Sequence, residues 1–126
     1  MRAGDTFLAS NPALENHLWV VISNPDADPD RVLCVSLTTA AAHKEDACLV
    51  QPGEHPWVTH LTCVAYDKAK AVRLDDLFRL KDSGTIVKKD PVSPELLQRI
   101  REKSLDSIDL PMEFADLLAD QGLIDL

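Results

Sequence analysis

Three features of the sequence predict a mainly β domain closed by helices at its C-terminal end. Leu18–Ile22 and Val32–Leu37 are dense in β-branched and aromatic residues, and the link Asn24-Pro25-Asp26-Ala27-Asp28-Pro29-Asp30 suits neither a helix nor a ladder, so the pair reads as a β-hairpin. Further short apolar runs follow at close spacing, with Pro or Gly turns among them. Well-signalled amphipathic helices come last, after Ser93. A chain of 126 residues, 45% hydrophobic, is one domain's worth with enough apolar material for an ordinary core.

Gly4-Asp5-Thr6-Phe7-Leu8 predicts a turn leading into a short first strand, and Ala9 to Asn16, with Ser10-Asn11-Pro12, a loop. In the hairpin that follows, both strands run on with almost no polar alternation, which predicts burial on both faces. His17 stands at its entrance and Thr38-Thr39 at its exit, where a strand leaves the core. Ala40 to Asp46 is too short for an unsupported helix and predicts a loop or a single turn. Ala47–Val50 is a third apolar run, and Gln51-Pro52-Gly53-Glu54-His55-Pro56 a turn. Trp57–Thr59 and Leu61–Tyr66 predict one or two further strands, and Ala69–Leu80 a strand passing into a helical turn near Asp75. Ser83-Gly84 is a turn before Thr85–Lys88.

The helical ending carries explicit start signals. Ser93-Pro94-Glu95 supplies an N-cap, a proline at the first helical position and an acid at the positive end of the dipole, so a helix is predicted over 94–103 with Leu96, Leu97 and Ile100 inward. A second helix is predicted from near Pro111, with Phe114, Leu117 and Leu118 inward, ending at Gly122. The whole fits a small SH3-like β-barrel core over residues 1–89, with residues 90–126 a helical segment packed on it, in a single domain.

Charge and cysteine usage narrow the function. The net charge of −8 argues against a broad nucleic-acid footprint, but nine acidic and three basic residues of the total lie from Asp90 onward. Tyr66 to Lys89 reverses the balance, with seven basic against four acidic residues, a run that serves solubility or holds phosphates. Cys34, Cys48 and Cys63 are odd in number, lack CxxC spacing and lie in or beside apolar runs, so they read as small buried hydrophobes. Cys48, His55, His60 and Cys63 have zinc-ligand chemistry without a compact ligand pair, so no metal or cofactor is expected. Neither a membrane span nor a secretory signal is visible, and a cytoplasmic protein is predicted.

Gly4-Asp5 opening the first strand, Trp19-Val20-Val21-Ile22-Ser23, the second strand ending in Thr38-Thr39, and Thr62-Cys63-Val64-Ala65-Tyr66-Asp67 together resemble the MazF/PemK toxins over roughly residues 4–72. These are ribosome-independent endoribonucleases of toxin-antitoxin systems. The resemblance implies a homodimer, a single-stranded RNA substrate and an antitoxin partner. It matches Thr39, or Thr38, to the family's hydroxyl residue and sets Asp67 near a functional acid. The family usually carries an Arg just ahead of the hairpin; here the chain reads Glu15-Asn16-His17-Leu18, so His17 takes part of that role or the activity is altered or lost.

RNA cleavage by internal attack needs a base for the 2′-OH proton, an acid for the leaving 5′ oxygen and donors for the phosphorane charge. His17, His43, His55 and His60 are the available imidazoles, and His17 with His55 or His60 are the candidates to converge near Thr39. The expected groove thus holds His17, Thr38, Thr39 and Asp67 as catalytic residues, with Lys68, Lys70, Arg73, His55 and His60 binding RNA. Trp19 and Trp57 either stack on bases or fill the core. The competing class is a non-catalytic interaction module on the same barrel. The acidic helices beyond Asp90 either cover the basic segment and compete with RNA or simply close one end of the barrel.

Overall fold

The computed structural model describes residues 1–9 and 17–126, so the loop expected before His17 lies, from residue 10 on, outside the described residues. Six antiparallel strands form one sheet in the order β4-β5-β3-β2-β1-β6, curled into a half-barrel. They are β1 (Thr6–Ala9), β2 (Leu18–Val21), β3 (Arg31–Thr39), β4 (Leu49–Val50), β5 (Thr62–Arg73) and β6 (Ile86–Lys89). Helices α1 (Leu74–Asp82), α2 (Pro94–Lys103) and α3 (Met112–Asp120) complete the fold.

The predicted hairpin is β2–β3, with Leu18 opposite Leu37 and Val21 opposite Cys34. Its link folds on its own polar side chains. Asn24 Oδ1 accepts from the Asp26 N–H at 3.0 Å and Asp28 Oδ1 from the Asp30 N–H at 2.9 Å, turns that short acidic and amide side chains make locally. Both faces of the hairpin are buried. Leu18, Val20, Leu33, Val35 and Leu37 point into the half-barrel with Val64, Tyr66, Leu96, Ile100 and Leu118. Trp19, Val21, Val32 and Cys34 point outward beneath Leu74 and Leu77 of α1. The unbroken apolar runs are the consequence of that two-sided cover.

Polar ties lock the C-terminal helices to the sheet. Tyr66 OH donates to the Ile100 carbonyl at 2.6 Å, Arg101 Nε to the Ile22 carbonyl at 2.7 Å, and the Asn24 N–H to Gln121 Oε1 at 2.8 Å. Helices α2 and α3 thus contribute Leu96, Ile100 and Leu118 to the core of the half-barrel. The Ser93 hydroxyl caps α2 by accepting from the Leu96 N–H at 3.1 Å.

Of the one or two strands expected over Trp57–Thr59 and Leu61–Tyr66, one forms, as the start of β5. Trp57–Thr59 lies in a turn-rich segment, because its neighbours spend their backbone groups locally: Gly53 N–H donates to the Val58 carbonyl and Val58 N–H to the His55 carbonyl, both at 2.9 Å. Val58 of this segment is buried in the main core. His55 is 2% exposed; its Nε2–H donates to the Asp90 carbonyl at 2.6 Å and its Nδ1 accepts from the Trp57 N–H at 3.1 Å. Thr6 Oγ1 donates to the same carbonyl at 2.6 Å. His55→Ala should cost about 2–4 kcal/mol of stability by urea unfolding, since it opens a cavity and leaves the buried polar groups unpaired.

Arg99 of α2 donates to Glu54 Oε2 at 2.7 Å, tying the same segment to the helix. The hydrogen bond from Arg99 holds the Glu54 carboxyl below its ordinary value. The folded chain thus binds that proton more weakly than the unfolded chain does. The bridge's contribution is full above the ordinary carboxylate pKa and is lost as pH falls through the depressed one. Glu54→Gln should flatten the acid-side fall of stability in that window, measured by urea unfolding across pH.

All three cysteines are buried and free. Burial pushes the Cys34 thiol up to about 12 and raises Cys48 and Cys63 as well, which keeps them protonated hydrophobes.

Candidate active site

The outward face of the sheet is not wholly covered by α1, and the uncovered part is a cavity of about 500 Å³. Its floor follows from strand register. Thr38 of β3 sits opposite Cys63 of β5, and Ser36 opposite both Trp19 of β2 and Ala65 of β5. Alternation puts these side chains, with His17 one step beyond β2, on the same face, and all of them line the cavity.

Between Ser36 and Cys34 the β3–β5 register breaks: Ser36 pairs with Ala65 but Cys34 with Lys70, so Tyr66 to Ala69 face the single residue Val35. Such a bulge re-aims side chains next to a site. Here Asp67 and Lys68 line the cavity, while Tyr66 stays in the core. Lys70 resumes the ladder, with Nζ 5.6 Å from the centroid of the Trp19 ring, a cation–π contact worth roughly 0.5–2 kcal/mol.

The loop after β3 folds back over this floor. Lys44 Nζ donates to Thr38 Oγ1 and to the Thr39 carbonyl, each at 2.9 Å, which places an ammonium and the adjoining His43 and Glu45 at the cavity wall. Asp109, from the α2–α3 connection, completes the lining. Partial desolvation, then the charges of Glu45 and Asp67, raise the Asp109 carboxyl above its ordinary value.

The structure therefore brings together His17, Thr38, Asp67, Lys68 and Lys70 of the residues expected from the sequence. It places the others elsewhere. Thr39 is exposed at the rim, its Oγ1 2.8 Å from Nε2 of His60, whose Nδ1 is 3.3 Å from Thr59 Oγ1. Arg73 pairs with Arg31 at the far end of β5, on the opposite face from Lys70. His55 is a seam residue with both ring nitrogens bonded to backbone, so it presents no polar atom to RNA. Of the tryptophans, Trp19 is 5% exposed on the cavity floor and Trp57 51% exposed, with Lys89 Nζ 5.2 Å from its ring centroid.

Lys44, Glu45, Ser36 and Asp109 were not expected. The run His43-Lys44-Glu45-Asp46, following a hydroxyl pair at a strand exit, is a signal for the first two; Asp109 has none, because only the fold brings it to Asp67.

A solved structure described as an endoribonuclease in complex with its cognate antitoxin, from a mycobacterial species, superimposes on this chain with a TM-score of 0.58, covering 88% of this chain and 97% of the other at 16% identity. The chain shares its fold with that endoribonuclease. No family model matches it, and no curated protein matches it by sequence. The resemblance read from short strand motifs thus reappears as a shared backbone, at an identity low enough to explain why the motifs are partial. Among the described residues no helix is long and apolar enough to cross a membrane.

Proposed function

We propose that the protein is a toxin-type endoribonuclease that cleaves single-stranded RNA in the cavity on the outer face of β2, β3 and β5. The observation that carries this reading is the convergence of two imidazoles, His17 and His43, with Thr38 and the ammonium groups of Lys44, Lys68 and Lys70 on one cavity lining. The chemistry asks for that set. One imidazole takes the 2′-OH proton as the O2′–P bond forms, and the other delivers a proton to O5′ as the P–O5′ bond breaks, leaving a 2′,3′-cyclic phosphate and a 5′-hydroxyl. The lysines stabilise charge on the phosphorane oxygens, the task that an Arg ahead of the hairpin performs in the resembled family. Thr38, already bonded to Lys44, orients that ammonium and offers its hydroxyl to the phosphate.

In this reading the groups come from protein side chains alone, the chain acts as a homodimer, and an antitoxin-type protein restrains it. Asp67, thrown into the cavity by the bulge, orients a cation or imidazole beside the scissile phosphate.

The test is incubation of the purified protein, in chelator and low salt, with a long single-stranded RNA beside Thr38→Ala. Cuts at defined positions, slowed about tenfold or more in the variant, are expected. Intact RNA with a demonstrably folded protein overturns the proposal and favours the interaction module.

A further inference from the structure

The connection between α2 and α3 reaches the cavity, where Asp109 is part of the lining. Ser107 Oγ donates to Glu45 Oε1 at 2.5 Å and the Ile108 N–H to Glu45 Oε2 at 3.0 Å. Ser107 Oγ in turn accepts from the Asp109 and Leu110 N–H groups, both at 3.1 Å. One carboxylate and one hydroxyl thus fix four consecutive residues. Burial contributes almost nothing at the centre of this strap, where Ile108 is 94% exposed. Polar contacts of this kind hold only about 1–3 kcal/mol, a cost that ligand binding can meet.

The strap's anchors are firm by contrast. Ile100 and Ser104 on its α2 side and Leu118 on its α3 side are buried and Leu110 packs against the core, so residues 107–109 can move about Leu110 without unmaking the core. What the latch positions is a carboxylate. Asp109 lies on the cavity lining beside Glu45 and Asp67, facing the lysines that a phosphate would need. Glu45 and Asp67 share the cavity lining with Asp109, and their like charges work against the latched arrangement.

We infer that residues 107–109, latched by Glu45, form an acidic strap that holds polyanions out of the cavity, so that single-stranded RNA binds only as the Glu45–Ser107 contact releases. The inference rests on the RNA reading of the cavity. It locates the opposition to RNA in a short connection, whereas α2 and α3 themselves are core elements.

The experiment measures binding of a short fluorescein-labelled, 2′-O-methylated single-stranded RNA, which cannot be cleaved by 2′-OH attack, to the full chain and its variants by anisotropy. Ser107→Ala removes the latch without changing charge, Asp109→Asn removes the gating charge, and Asp116→Asn is a charge-matched control on α3 outside this cavity. Ser107→Ala and Asp109→Asn should each tighten binding about fivefold, a difference of about 1 kcal/mol, while Asp116→Asn stays within about twofold of wild type. In wild type, saturating RNA should accelerate hydrogen exchange at the amides of Ile108, Asp109 and Leu110. RNA binding that leaves those amides protected, or that Ser107→Ala does not tighten, overturns the strap and spares the RNA site. Absence of binding by wild type and by every variant overturns the RNA site and the strap with it.

Discussion

Replacing either His17 or His43 by alanine should slow RNA cleavage by about a hundredfold or more, the usual worth of a positioned acid or base, while thermal unfolding stays close to wild type. Both side chains line the cavity and neither belongs to a hydrophobic core cluster. Their pairing has a further consequence. If one imidazole takes a proton and the other gives one, the double variant should be little worse than the worse single, because residues acting as a unit are not additive. Cleavage assays on a defined RNA, run at enzyme concentrations that saturate the substrate, separate this from weakened binding. Undiminished rates in both single variants would remove the imidazoles from the mechanism. The corresponding Lys70→Ala change should act differently. It removes the proposed phosphate contact and the cation–π partner of Trp19, so its effect should appear in RNA affinity and shallower salt dependence more than in the bound-state rate.

The second large effect is on folding. A chain ending at Lys89 should fail to unfold cooperatively, although residues 1–89 contain every strand. Val92, Leu96, Ile100, Leu118 and Ile124 all belong to the main core beneath the half-barrel. At about 1.5–3 kcal/mol per fully buried side chain, their loss is on the order of 10 kcal/mol, comparable with the entire stability of a small domain, about 5–15 kcal/mol. The truncation also removes the Asp90 carbonyl, to which His55 and Thr6 both donate. Far-UV circular dichroism with urea titration tests this: a sigmoidal transition for the truncated chain would show that residues 1–89 fold alone and that the helices are an accessory.

How much of this was legible in the sequence depends on how local each cause is. The hairpin could be read because its determinants are adjacent: β-branched runs on both sides of a link whose Asn24 and Asp28 turn the chain with their own side chains. The 94–103 helix could be read because Ser93 and Pro94 announce it, and the observed α2 has those bounds. Whether Trp57–Thr59 formed a strand of its own stayed open in the sequence, because periodicity does not reveal that Gly53 and His55 claim its backbone groups.

The site divides along the same line. His17 and Thr38 stand at a strand mouth and a strand exit of one hairpin, so their proximity follows from that hairpin's register. Asp67 and Lys68 reach the cavity only through the irregularity opposite Val35, which strict alternation does not foresee. Arg73 fails for the converse reason, since the sequence counts its charge and the pleat turns it to the other face. His55 shows the limit of residue chemistry as a guide: an imidazole beside a Pro-Gly turn is as apt to bond two backbone groups as to meet a substrate. Asp109 depends on where a connection between two helices passes, information that exists only once both helices are docked.

The most direct test of the central claim is the chemistry of the RNA ends left by the wild-type chain in the presence of chelator. Internal attack by the 2′-OH predicts fragments with a 2′,3′-cyclic phosphate and a 5′-hydroxyl, appearing at defined positions and lost together in His17→Ala and His43→Ala. Fragments carrying 5′-phosphates, or RNA left intact by folded protein, would contradict it.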